Sequence, residues 1–142
     1  MSFTFIEKFP TPDEIRAQYP LPQALAQRKA ERDREIREVL TGQSSKLLVI
    51  VGPCSADNED SVCDYVDRLA ALNGRVAEKL ILIPRIYTNK PRTTGEGYKG
   101  IVHQPDPAKQ EDFLAGLIAM RKMHIRAVEE TGLTAADEML YP

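Results

Sequence analysis

The chain has 142 residues, of which 42% are hydrophobic and 28% charged, and a formal net charge of -2. This is the composition of a soluble globular domain with enough chain for one core, and the near balance of charge gives no grounds for expecting nucleic acid or an anionic membrane surface as a partner. No apolar run approaches the roughly 20 residues of a membrane span, and the opening "MSFTFIEKFPTPDEI" has neither the basic n-region nor the long h-region of a secretory signal. The expected compartment is therefore the cytoplasm, where Cys54 and Cys63 stay thiols unless one binds a metal.

"TPDE" at 11–14 has the pattern of a capping box, with Thr11 as N-cap, Pro12 at the first helical position and Glu14 reaching back. A short helix follows and stops before Pro20. A second helix is expected from about Pro22 to Leu40, closed by Gly42. Its "RKAERDREIRE" stretch reads as a solvated face, since acids interleave the bases.

"KLLVIV" at 46–51 is a continuous apolar run, the pattern of a parallel strand buried on both faces. After the turn "GPCSADNEDS", Val62, Val66, Leu69, Leu72 and Val76 repeat at helical spacing. "KLILIPRIY" at 79–87 is a second buried strand. A third main helix is expected within "DPAKQEDFLAGLIAMRKMHIRAVEETG", with Asp106 placed to cap it, Pro107 at its first position and Gly132 as its end. "TAADEML" at 134–140 begins a third strand. Alternation of buried strands with helices specifies a parallel α/β sheet. The pattern reads as the opening part of something larger, because a closed barrel of this kind takes about 250 residues.

Parallel sheets bind ligands beyond the C-terminal ends of their strands, and two unusual loops leave such ends here. One is "GPCS". The other, "PRIYTNKPRTTGEGYK" at 84–99, holds Arg85, Lys90, Arg92 and Lys99 against a single acid, Glu96. Arginine forks, a lysine, threonine hydroxyls and glycine backbone suit a phosphorylated anion, although a basic loop standing in water has the same composition. Cys54, in its strand-end turn, is either a metal ligand or nucleophile, or a small buried thiol. Cys63 reads as packing. His103 in a loop and His124 on a helix read as packing or surface, and Glu138 as a solvated carboxylate or a partner for the basic loop.

"LLVIVGPCS", then "RIYTNKPRTTGEGYKG" about thirty residues later, then "GLTAADEML", together resemble class I 3-deoxy-D-arabino-heptulosonate 7-phosphate (DAHP) synthase. The resemblance runs from about residue 35 onward. It implies an incomplete (β/α)8 TIM barrel: a helical extension over residues 1–43, engaged in subunit contacts, then the first part of the barrel over 44–142. It implies a metal-dependent transferase at the entry to the shikimate pathway, joining phosphoenolpyruvate to erythrose 4-phosphate with release of phosphate. The complete enzyme is expected to be a homo-oligomer, with no nucleic-acid or membrane partner. The implied cofactor is a divalent metal, with manganese, iron, cobalt and zinc all admissible.

Carried over by motif, Cys54 matches the metal-binding cysteine and Arg85 the arginine for phosphoenolpyruvate. Lys90 matches the catalytic lysine between the substrates, and Pro91, Arg92 and Thr93 match the segment that holds erythrose 4-phosphate. "GEGYKG" and "EDFLAGL" depart from common family forms without touching these residues. The family's remaining metal ligands, a His, a Glu and an Asp, come from later strands. One cysteine does not hold a catalytic metal, so the 142-residue chain is expected to be inactive by itself and to show an unpaired sheet edge prone to association. A non-catalytic remnant that binds full-length synthase is the alternative. The related 3-deoxy-octulosonate 8-phosphate synthases fit less well, because they share "KPRTT" only loosely.

Overall fold

A computed structural model describes residues 8–90, 92 and 96–138 of the chain. Helix α1 (Pro12–Gln18) opens on the expected capping box, with Thr11 Oγ1 accepting from Glu14 N at 3.3 Å and Glu14 Oε2 accepting from Thr11 N at 2.7 Å. Helix α2 (Gln23–Leu40) ends at Thr41, and Gly42 turns the chain away at a φ of 74°. Its charged face is solvated with one exception. Arg32 is 4% exposed, and its Nη2 donates to the carbonyl of Leu82 at 2.7 Å. That residue corrects the uniformly solvated reading: it ties the helix to the sheet beneath.

Strand β1 (Leu47–Val51) pairs in parallel with β2 (Leu80–Pro84), in register from Leu47 opposite Leu80 to Val51 opposite Pro84. Helix α3 (Glu59–Val76) makes the crossover between them, capped where Asn58 Oδ1 accepts from Ser61 N at 2.9 Å. It buries Val62, Cys63 and Val66. Burial on both faces, expected for each strand, holds for β2 but not for β1, where Leu47 and Ile50 are 66% and 57% exposed. The physical reason is position: among the described residues β2 is the one strand paired with β1, so β1 is an edge.

On the other side of β2 the chain returns through a single parallel bridge between Arg85 and Ala136. Ile86 N donates to Ala136 O and Ala136 N to Pro84 O, both at 2.8 Å. The strand expected over 134–140 is thus one bridge within the described residues, and residues 139–140 lie outside them.

Helix α4 (Phe113–Thr131) starts later than the sequence indicates. Its cap is Asp112, whose Oδ1 accepts from Ala115 N at 2.9 Å. Asp106 instead accepts from Ala108 N at 3.0 Å, in a turn that Gln104 Nε2 braces through the carbonyls of Pro107 and Lys109. An aspartate two residues before its donor closes an Asx turn as readily as it caps a helix, and here it closes the turn. Gly132, at φ 69°, closes α4 as expected. The core between α3, α4 and β2 is built on Val62, Val66, Ile86, Ile101, Met123, Ala127 and Leu133.

Gly116 on α4 lies against the loop after β2, and a Cβ there would stand 2.0 Å from the carbonyl oxygen of Val102. Gly74 on α3 has open space around it. Gly116→Ala should therefore cost about 1–3 kcal/mol or more, through a forced helix shift. Gly74→Ala should stabilise by about 0.5–1 kcal/mol. Urea denaturation of the two variants checks the pair, and equal effects would contradict this packing.

Candidate active site

Because β1 and β2 run parallel, the loops that follow them leave from the same end. The ladder continues past the strands, with Arg85 N donating to Val51 O at 2.9 Å. Gly52 permits this approach: a Cβ on it would lie 1.9 Å from the carbonyl oxygen of Arg85. Two further bonds join the loops, Ala56 N to Tyr87 O and Arg85 Nη1 to Pro53 O, both at 2.8 Å. The basic loop then doubles back on itself through Lys90 N to Lys99 O at 2.8 Å. Gly100, at φ 97°, passes so close to the Thr88 carbonyl that a Cβ would sit 2.1 Å from its oxygen.

This stitching brings together residues that the sequence separates. Cys54 is exposed, and Lys90 Nζ donates to its Sγ at 2.9 Å. The hydrogen bond from Lys90 and then its charge hold the Cys54 thiol below the ordinary cysteine range, with smaller contributions from Arg85 and Arg92. The buried-thiol alternative therefore fails for Cys54 and holds for Cys63, which is 3% exposed and whose thiol is pushed up by burial. Arg85 stacks over the Tyr87 ring at 4.2 Å, and its Nε donates to Glu138 Oε1 at 2.6 Å. Glu138 is thus a partner for the basic loop rather than a free carboxylate. Arg92 Nε donates to Tyr98 O at 2.9 Å, and Lys99 pairs with Glu111 at 2.9 Å. Pro91 and Thr93 lie outside the described residues.

The two histidines stand behind this cluster. His103 Nε2 lies 2.9 Å from Asn89 Oδ1, and its ring tilts against Phe113. His124 Nε2 lies 3.6 Å from Asp137 Oδ2. Asp137 was not singled out by sequence reasoning, yet its Oδ1 accepts from Thr88 N at 3.1 Å and its Oδ2 from the Thr88 hydroxyl. Burial raises its pKa, but the hydrogen bonds from His124, Thr88 and the Glu138 backbone outweigh that and hold it below the ordinary aspartate value. An acid inside an apolar strand-like run was the signal available for it. Tyr98 is a second omission: its hydroxyl approaches Ala56 O at 3.5 Å, and burial, with Asp57 adding, pushes its pKa up to about 12.

Among the described residues no three His, Cys, Asp or Glu side chains converge as a metal set. Cys54 fits as one soft donor of such a set, since its sulfur is exposed and Lys90 stabilises its thiolate form.

A parallel α/β unit that gathers a thiol and several cations beyond its strand ends has them where folds of this class bind their ligands. The sequence profile of the DAHP synthetase I family matches residues 9–142, and the chain belongs to that family. It is 35% identical over 132 residues to the Tyr-sensitive phospho-2-dehydro-3-deoxyheptonate aldolase of Escherichia coli K12, covering 93% of this chain and 36% of that protein. The phenylalanine-inhibited enzyme of Saccharomyces cerevisiae is 33% identical over 129 residues, covering 91% of this chain and 34% of that protein. A solved phospho-2-dehydro-3-deoxyheptonate aldolase from Francisella tularensis superposes with a TM-score of 0.82 at 26% identity, over 94% of this chain and 39% of that one. The chain thus spans little more than a third of the length of these relatives.

Two outcomes follow from the charges. With a chelator present, iodoacetamide should label Cys54 ahead of Cys63, with a pH midpoint below that of an unperturbed cysteine peptide measured alongside. Lys90→Met should move the midpoint up; an unmoved midpoint would remove Lys90 as the cause. Asp137 has a lowered folded-state pKa, so its charge contributes stability above about pH 4 and loses it as pH falls through the folded value. Asp137→Asn should cost about 1–3 kcal/mol at neutral pH, and the gap in Tm should close in acid. A gap independent of pH would contradict this account.

Proposed function

We propose that this chain is the opening segment of a class I DAHP synthase, a cytoplasmic transferase that condenses phosphoenolpyruvate with erythrose 4-phosphate and releases phosphate. On this reading residues 1–43 are a helical extension, and 44–142 are the first strands and helices of a (β/α)8 barrel. The observation that carries the reading is the meeting of Cys54 with Lys90, beside Arg85, at the ends of β1 and β2 in a chain of this family.

Each residue has a role that its chemistry supports. Arg85, held by Pro53 O and Glu138, presents a fixed guanidinium to phosphoenolpyruvate. Lys90, which bonds the Cys54 sulfur, carries a compact ammonium charge suited to the oxygens of either substrate. Pro91, Arg92 and Thr93 hold erythrose 4-phosphate. Fixed cations bring two phosphorylated anions together without reorganising during the reaction. Cys54 would be one ligand of a divalent metal, which supplies Lewis acidity or a bound water when present. The other ligands belong to segments beyond this chain, and the complete enzyme is a homo-oligomer.

The test is a chimera in which this segment replaces the matching segment of the Tyr-sensitive E. coli relative. Assayed with Mn²⁺, both substrates and detection of the heptulosonate product, it should turn over, and Lys90→Ala or Arg85→Ala should lower kcat/KM by at least about 100-fold. The 142-residue chain alone should not turn over. A folded chimera with no activity, or variants with unchanged kcat/KM, would sink the proposal.

A further inference from the structure

The contact between Lys90 and Cys54 also defines a reactive pair. Sγ is exposed, so a small oxidant reaches it from solvent. A primary amine, Lys90 Nζ, stands 2.9 Å from it, and backbone bonds fix the two loops that carry the pair: Ala56 N to Tyr87 O and Lys90 N to Lys99 O, each at 2.8 Å. The other cysteine, Cys63, is buried against α4 and presents no accessible thiol. A sulfenic acid formed on Cys54 therefore meets an amine before it meets a second thiol.

We propose that Cys54 and Lys90 form a reversible oxidative cross-link, a sulfur–nitrogen bond between the two loops. The Cys54 sulfur attacks the O–O bond of a hydroperoxide and takes one oxygen as sulfenic acid, and the peroxide leaves as water or an alcohol. The oxygen leaving the peroxide takes a proton from the Lys90 ammonium, and the amine so freed attacks Sγ. The S–O bond breaks, and the departing hydroxide takes a proton from the nitrogen to leave as water. Thiol, amine and hydrogen peroxide give the S–N link and two waters; sulfur loses two electrons and the O–O bond gains them. Sulfenic acids condense in this way with backbone nitrogen, and a thiol reductant reverses the reaction by attack on sulfur. The chemistry needs only the pair. Its regulatory consequence rests on the function proposed above, because the link occupies a metal donor and a substrate cation at once and protects the sulfur from irreversible oxidation.

The experiment treats the 142-residue chain with hydrogen peroxide in the presence of a chelator, then cleaves after glutamate, which places Cys54 on peptide 39–59 and Lys90 on peptide 79–96. Tandem mass spectrometry should find these two peptides joined, lighter than their sum by two hydrogen atoms, and separated again by dithiothreitol. In Lys90→Met the joined peptide should vanish, while dimedone traps sulfenic acid on Cys54. Sulfinic or sulfonic acid, a disulfide through Cys54, or an unmodified Cys54 in the wild-type chain would each overturn the proposal. A separate arm uses the chimera described above, in which the remaining metal ligands are present, and tests the metal reading alone: cross-linking undiminished by excess Mn²⁺ there counts against Cys54 as a metal donor, whatever the chelated 142-residue chain shows.

Discussion

The close approach of Gly52 to Arg85 is the constraint from which the rest of the candidate site follows. Parallel strands normally part where their ladder ends. Here the ladder runs one step further, through Arg85 N to Val51 O, because position 52 has no Cβ to strike the Arg85 carbonyl. That step puts the Arg85 guanidinium on the carbonyl of Pro53 and places the loop of Cys54 beneath the loop of Lys90. The glycine of "GPCS" is thus a geometric requirement of the fold.

The four cations of the loop differ in what holds them. Arg85 is committed to Glu138 and Pro53, Arg92 to a carbonyl, and Lys99 to a carboxylate. Lys90 rests on the exposed Cys54 sulfur, at the end of an unbranched, flexible side chain. Its amine can turn toward an incoming anion, while the others keep the loop in shape. Mobility of charge is concentrated at one side chain, and the scaffold beneath it stays fixed.

The sequence displayed what depends on local pattern. The capping box at Thr11, the apolar strands, the period of α3 and the glycine ends of α2 and α4 are written in neighbouring residues, and the structure follows them. What escaped depends on contacts across the chain. Arg32 looks like any base in a charged run until Leu82 O meets it fifty residues away. Asp106 looks like a cap, yet it closes a turn braced by Gln104, and α4 starts at the cap Asp112. The exposure of β1 follows from its place at the sheet edge, which no run of valines and leucines encodes. In the candidate site the loops were legible because their charge was unusual. The pairing of Lys90 with Cys54, and the support from Asp137, required the register.

The segment after α4 shows how little sheet a strand needs in order to matter. Within the described residues it makes one bridge to β2, at Ala136. Its next two residues, Asp137 and Glu138, send their carboxylates to different partners. Asp137 takes the amide and hydroxyl of Thr88, fixing the backbone from which the Lys90 loop departs. Glu138 takes the Arg85 guanidinium, fixing the cation at the other flank. One dipeptide therefore sets both the path of the loop and the direction of its anchored arginine. Substituting either acid removes one of these constraints and leaves the other, so the backbone of the site and its charge are separable by mutation.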